Sequence, residues 1–162
     1  MFFKILQENK KLKKENELLK KEARTDYLTG LLNRKGIEEK LAEEKERINR
    51  YGAKNFSILF LDLDNLKEIN DNRGYEEGDR ALKRLASIIE ENTRKVDSVA
   101  RVGGDEFFAL LPETSKEEAM VVAEKIRTQL RKEKLNASIG VAENKEEAQR
   151  QMQKQKRKNK TG

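Results

Sequence analysis

Two adjacent carboxylates, Asp105 and Glu106, follow the glycines Gly103 and Gly104 between the apolar runs 98–102 and 107–111. That pattern predicts a β-hairpin whose turn carries acids where a ligand can approach bare backbone. A second acidic pair, Asp62 and Asp64, closes the apolar run 56–61. Carboxylates converging at strand ends suit a hard divalent cation, and Mg²⁺ commonly arrives with phosphates. The chain has no His and no Cys. Imidazole bases, thiolate nucleophiles, disulfides and thiolate metal sites are thereby excluded, and any catalysis must run on carboxylates, Lys, Arg and metal.

These acids need a scaffold. The length of 162 residues fits one domain with a short appendage, and 35% hydrophobic residues suffice for a core under a surface that is 41% charged overall. The net charge of +6 suits a nucleoside triphosphate as well as a nucleic acid. No aromatic-rich basic stripe is present, so nucleic acid is not expected as a partner. No apolar run spans a bilayer, and the chain reads as cytoplasmic.

Ile5, Leu12 and Leu19 recur every seven residues, and Phe2, Asn9, Asn16 and Ala23 occupy the complementary heptad position. Residues 1–24 therefore read as a helix able to form a short parallel dimeric coiled coil, with Asn fixing its register. A second helix is expected from Asn33 to about Arg50, then a strand over 56–63. A polar loop containing Asn70, Asp71 and Gly74 follows. Further elements are a helix from about Glu76 to Asn92, the 98–111 hairpin, a helix from Ser115 to about Lys132, a strand over 137–142 and a basic helix from about Lys145. Helices alternating with strands around a central hairpin predict an α+β fold rather than a doubly wound one.

The segment Arg101-Val102-Gly103-Gly104-Asp105-Glu106-Phe107 resembles the signature of GGDEF-domain diguanylate cyclases. The run Asp26-Tyr27-Leu28-Thr29-Gly30-Leu31-Leu32-Asn33-Arg34 resembles that family's DxLTGLxNR. Residues 61–79 resemble its DxDxFKxINDxxGHxxGD, with Leu66 at the usual aromatic and Tyr75 at the usual His. The resemblance covers residues 25–162 and implies a palm-like central sheet of mixed or antiparallel strands flanked by helices.

It also implies roles. Asp62, the Leu63 carbonyl and Asp105 would ligate Mg²⁺ or Mn²⁺, and Glu106 would stand near the attacking hydroxyl. Lys67 and the backbone N–H groups of Asn65 and Leu66 would hold phosphates, with Gly104 allowing close approach. Asn70 and Asp79 would read guanine. Arg94 and Asp97 resemble the RxxD site at which cyclic di-GMP inhibits. Near the C-terminus, Ala148 and Met152 match an AxxAMYxAKxxGR helix, which puts Lys156 and Lys160 on the triphosphate. Gln153 stands at its Tyr and Asn159 at its Gly, and a final strand is missing. The bland alternative for this stretch is a frayed basic tail.

The implied activity condenses two GTP into cyclic di-3′,5′-GMP at the interface of a homodimer joined through the N-terminal helix. The alternative is a receptor module that binds GTP or cyclic di-GMP without turnover.

Overall fold

The structure is a computed structural model that describes residues 1–52 and 55–161; the side chain of Phe2 in the heptad pattern lies outside the described set. Among the described residues there are six helices and four strands. In chain order these are α1 (Phe2–Glu22), α2 (Arg34–Tyr51), β1 (Ser57–Leu63), α3 (Leu66–Arg73), α4 (Tyr75–Glu91), β2 (Ser98–Arg101), β3 (Glu106–Leu111), α5 (Lys116–Lys132), β4 (Ala137–Ala142) and α6 (Lys145–Thr161). The strands form one sheet in the order β2-β3-β1-β4, antiparallel at every pairing. The fold is α+β, a palm-like sheet flanked by helices, with α1 leading into it.

Residues of β1 alternate between two cores, which is why all seven are buried. Leu59, Leu61 and Leu63 pack with Phe107, Ile139, Leu85, Ile89 and Ile126 beneath α4 and α5. Ile58 and Phe60 pack with Phe108, Leu110, Ile37 and Leu41 on the face that α2 and α6 cover. Phe60 meets Phe108 edge to face, ring centroids 6.0 Å apart. Asp62 has the same parity as Ile58 and Phe60, so its carboxylate belongs to the α6 face.

One expected element is corrected. The polar loop after β1 is the helix α3. It carries no apolar periodicity beyond Leu66 and Ile69, spaced three apart, and these two half-buried residues pack against the α4 side of the core. A helix held by so few contacts is nearly silent in sequence.

The Asp26–Arg34 run braces the hairpin. Leu32 bridges to Ala100 along the open edge of β2, through Leu32 N–H to Val99 O (3.2 Å) and Arg101 N–H to Leu32 O (2.9 Å). Asn33 caps α2 by accepting from Gly36 N–H at 3.0 Å. The Arg34 guanidinium donates to Val102 O at 2.6 Å. Arg101 lies between Asp26 (3.3 Å) and the Gly104 carbonyl (2.7 Å), so the run grips the glycine turn at both ends.

Burial raises the Asp26 carboxyl, but bonds from the Thr29 hydroxyl and N–H, together with Arg101, outweigh it and hold the group below its usual 3.8. A depressed acid stabilises the fold above 3.8, and that stabilisation is lost as pH falls through the folded value. Asp26→Asn should therefore cost about 1 kcal/mol at neutral pH by urea denaturation, with the difference from the unmutated chain closing in acid. A gap independent of pH would contradict this account.

Every described side chain of α1 is exposed, including Ile5, Leu12 and Leu19. No helix among the described residues is long and apolar enough to cross a membrane.

Candidate active site

Antiparallel register sets Ser138 of β4, Asp62 of β1 and Glu106 of β3 in one row across the sheet. Below it lies a row of Gly140, Phe60 and Phe108. Asp105 ends the turn, and its carbonyl accepts from Leu63 N–H at 2.9 Å, which ties the turn to the end of β1. The two acids separated by 43 positions in sequence are thereby brought to one cation, the Lys156 ammonium. Lys156 Nζ lies 2.6 Å from Asp62 Oδ1 and 3.4 Å from Asp105 Oδ2. Gly103 leaves the room that the Glu106 carboxylate occupies, since a Cβ there would lie 2.7 Å from Glu106 Oε2.

The charges do not balance, because two carboxylates share one ammonium and the Glu106 charge also acts on Asp62. Burial pushes the Asp62 carboxyl up to about 6, the Asp105 and Glu106 charges add to the push, and Lys156 opposes it. Burial would lower the Lys156 ammonium, but Asp62 and Asp105 raise it above its ordinary value. An oxygen-only donor set with a negative excess, gathered around a positive group, fits a hard divalent cation. Among the described residues no group of three or more acids is close enough to hold a metal unaided.

Lys156 is there because α6 crosses the sheet at Gly140. A Cβ at Gly140 would come within 1.9 Å of Ala148 O and 2.5 Å of Met152 N, so only glycine lets the two backbones touch. Ala148 and Met152 are buried at this crossing. The outer edge of β4 is closed by side chains of the same helix. Val141 N–H donates to Gln151 Oε1 (3.2 Å) and Ile139 N–H to Gln155 Oε1 (2.9 Å). The frayed-tail alternative is therefore set aside. Sequence reading missed both glutamines; their i, i+4 spacing, ending at the residue before Lys156, was the available signal.

Other expected residues distribute as follows. A cavity of about 390 Å³ is lined by Asn65, Lys156 and Lys160 together with Arg127, Arg131 and Asn159. A second, of about 480 Å³, adjoins it at Asn65 and Asn136 and includes Ile69, Arg80 and Arg84. Neither lining includes Asn70 or Asp79. The Asn70 side chain lies over Gly78, where a Cβ would meet its Oδ1 at 1.8 Å, and Asp79 is the exposed next residue. Leu66 is half-buried and Lys67 exposed at the start of α3. Gly104 is exposed, with room around its Cα.

The grouping of Asp62 with Asp64 as one acidic pair divides in the structure. Asp64 lies past the end of β1 and accepts from Ser138 Oγ (2.8 Å) and Asn159 Nδ2 (3.1 Å) instead of joining Asp105. One strand length away, Arg94 and Asp97 are bonded to each other. Asp97 accepts from Arg94 N–H (2.6 Å) and its guanidinium (2.8 Å), and Arg94 also reaches Pro112 O and Thr114 Oγ1.

The family described as diguanylate cyclase, GGDEF domain, matches residues 23–159. Diguanylate cyclase DosC of Escherichia coli K12 is 40% identical over 124 residues, covering 76% of this chain and 27% of DosC. Diguanylate cyclase DgcM of the same organism is 38% identical over 136 residues, covering 80% of this chain and 33% of DgcM. The chain thus spans about a quarter to a third of these curated relatives. Among solved structures, the coiled coil and GGDEF domain of DgcB from Caulobacter crescentus in complex with c-di-GMP matches with a TM-score of 0.85 at 26% identity, over 94% of this chain and 91% of that one. Diguanylate cyclase SiaD from Pseudomonas aeruginosa, in complex with its activator SiaC, matches with a TM-score of 0.79 at 32% identity, over 94% and 65%.

Proposed function

This chain belongs to the GGDEF-domain diguanylate cyclase family, and from that premise we propose that it condenses two GTP into cyclic di-3′,5′-GMP and two pyrophosphates. The observation that carries the reading is the Lys156 ammonium seated between Asp62 and Asp105. A site that draws a cation between two carboxylates beside a basic cavity has the charge layout phosphoryl chemistry requires.

Asp62, Asp105 and the Leu63 carbonyl would hold Mg²⁺ or Mn²⁺, which on binding would polarise the α-phosphate of GTP and offset triphosphate charge. Lys156 and Lys160 bind triphosphate oxygens, and Lys156 exchanges its carboxylate partners for them when substrate enters. The first N–H groups of α3, around Asn65 and Leu66, face phosphate with the positive end of the helix, and Lys67 adds charge. Asp79 accepts from the guanine N1–H and exocyclic amine, and the Asn70 amide bonds the guanine as well. Glu106 stands where the attacking 3′-hydroxyl of the second GTP loses its proton, and pyrophosphate leaves in line.

One domain holds one GTP, so the reaction takes two copies. Residues 1–24 serve as the dimerising helix, with Ile5, Leu12 and Leu19 as its seam, and raise the effective concentration of facing sites. Arg94 and Asp97 form the product-inhibition site, Arg94 leaving Asp97 to bond guanine.

The test is incubation with GTP and Mg²⁺ over a range of protein concentrations, with products resolved by chromatography. Cyclic di-GMP should form with more than first-order dependence on protein and vanish with chelator. GTP bound without turnover at any concentration would replace this reading with the receptor one.

A further inference from the structure

We propose that Asn159 is a positioning residue: through Asp64 and Ser138 it tethers the last turn of α6 to the sheet and so holds Lys156 and Lys160 at the phosphate cavity. The inference rests on the cyclase reading of that cavity. Its basis is the pair of rungs by which α6 meets the end of β1. Lys156 reaches Asp62 at 2.6 Å. Three residues on, Asn159 Nδ2 donates to Asp64 Oδ2 at 3.1 Å and to Ser138 Oγ at 3.3 Å, and Ser138 Oγ donates to Asp64 Oδ1 at 2.8 Å.

Positions i and i+3 lie on one helix face, about 4.5 Å apart along the axis, so Lys156 and Asn159 both face the end of β1 and the turn that follows it. Ser138 is fully buried, so the tether ends in the sheet rather than on another mobile surface group. Asp64 is anchored as well, its N–H donating to Asn136 O at 2.9 Å.

The helix needs such a tether. Upstream, α6 is fixed by Ala148, Met152 and the two glutamines, and beyond Gln155 the bond from Asn159 to Ser138 is its next hold on β4. Helix ends open first. Asn159 lies between Lys156 and Lys160, so its bond to Asp64 is where that opening would be resisted. Position 159 is Gly in the pattern this segment resembles, and Gly could not make the bond.

The experiment compares Asn159→Ala, Asp64→Ala and the double variant in the full chain. Hydrogen exchange of the amides at 156–160, with no ligand present, should rise by about tenfold in each single variant, while melting temperature stays close to that of the unmutated chain. Affinity for GTP with Mg²⁺, by calorimetry, should fall about 5- to 20-fold in each single variant. The double variant should be no worse than the worse single one, because both substitutions remove the same tether. Unchanged exchange in Asn159→Ala overturns the proposal. Additive losses of affinity also overturn it, since Asn159 would then be acting on the ligand directly. A chain that binds no GTP sinks the cyclase reading, and the ligand-free exchange comparison still decides whether the tether exists.

Discussion

Asp62→Asn is expected to cut cyclic di-GMP formation by about a thousandfold or more while leaving the fold at least as stable. Activity falls because the buried carboxylate of the proposed cation site is gone, and an amide oxygen carries no charge to hold a divalent ion against water. Stability holds because the Asp62 side chain is only 4% exposed and answered by a single ammonium. Desolvating such a charge costs several kcal/mol, roughly offset by its partner. The amide has the same shape and no charge to desolvate, and Lys156, itself partly exposed, keeps Asp105. Initial rates of pyrophosphate release and a thermal melt on the same preparation decide the matter. A variant with near-normal turnover would remove Asp62 from the proposed machinery. A large drop in melting temperature would mean that the Lys156 bridge is structural.

The second large effect is expected at a residue that touches no substrate. Gly140→Ala places a methyl group against the Ala148 carbonyl and the Met152 amide, which are backbone atoms and cannot rotate away. Either α6 lifts or β4 sinks, and Phe60, beside Gly140 in the register, blocks the second route. Overpacking of this kind costs about 1–3 kcal/mol, or about 3–10 °C in a domain of this size. Lifting α6 also draws Gln151 and Gln155 from the edge of β4 and Lys156 from Asp62. Turnover should therefore fall by about 10- to 100-fold even well below the melting temperature, because misplacing a binding group by an ångström carries that penalty. Circular dichroism melts and rate measurements on Gly140→Ala check both parts. Unchanged melting would show that α6 is not seated on Gly140.

The expectations from sequence divided along a physical line. Elements with a strong apolar pattern were readable: α4 through the helical spacing of Leu82, Leu85 and Ile89, and β1 through the short apolar run 58–61. α3 was read as a loop because two apolar residues cannot announce a helix. Asp62 and Asp105 were readable as site candidates from their place at strand ends. Asp64 was grouped with them and belongs instead to Ser138 and Asn159, a partition made by long-range partners.

What the sequence by itself determined is the chemistry available and the family: carboxylates and lysines without His or Cys, and the ordered motifs carrying the acids. It determined these because composition and local spacing are properties of the chain alone. Only the tertiary structure decided which charges meet. Lys156 lies 94 positions from Asp62 and 51 from Asp105, and no periodicity links them. Their meeting follows from antiparallel register, which sets Asp62 opposite Glu106 and Ser138, and from one glycine that lets α6 approach the sheet. Register and helix packing are set by the whole core at once, so the site they assemble is not written at any one place in the chain.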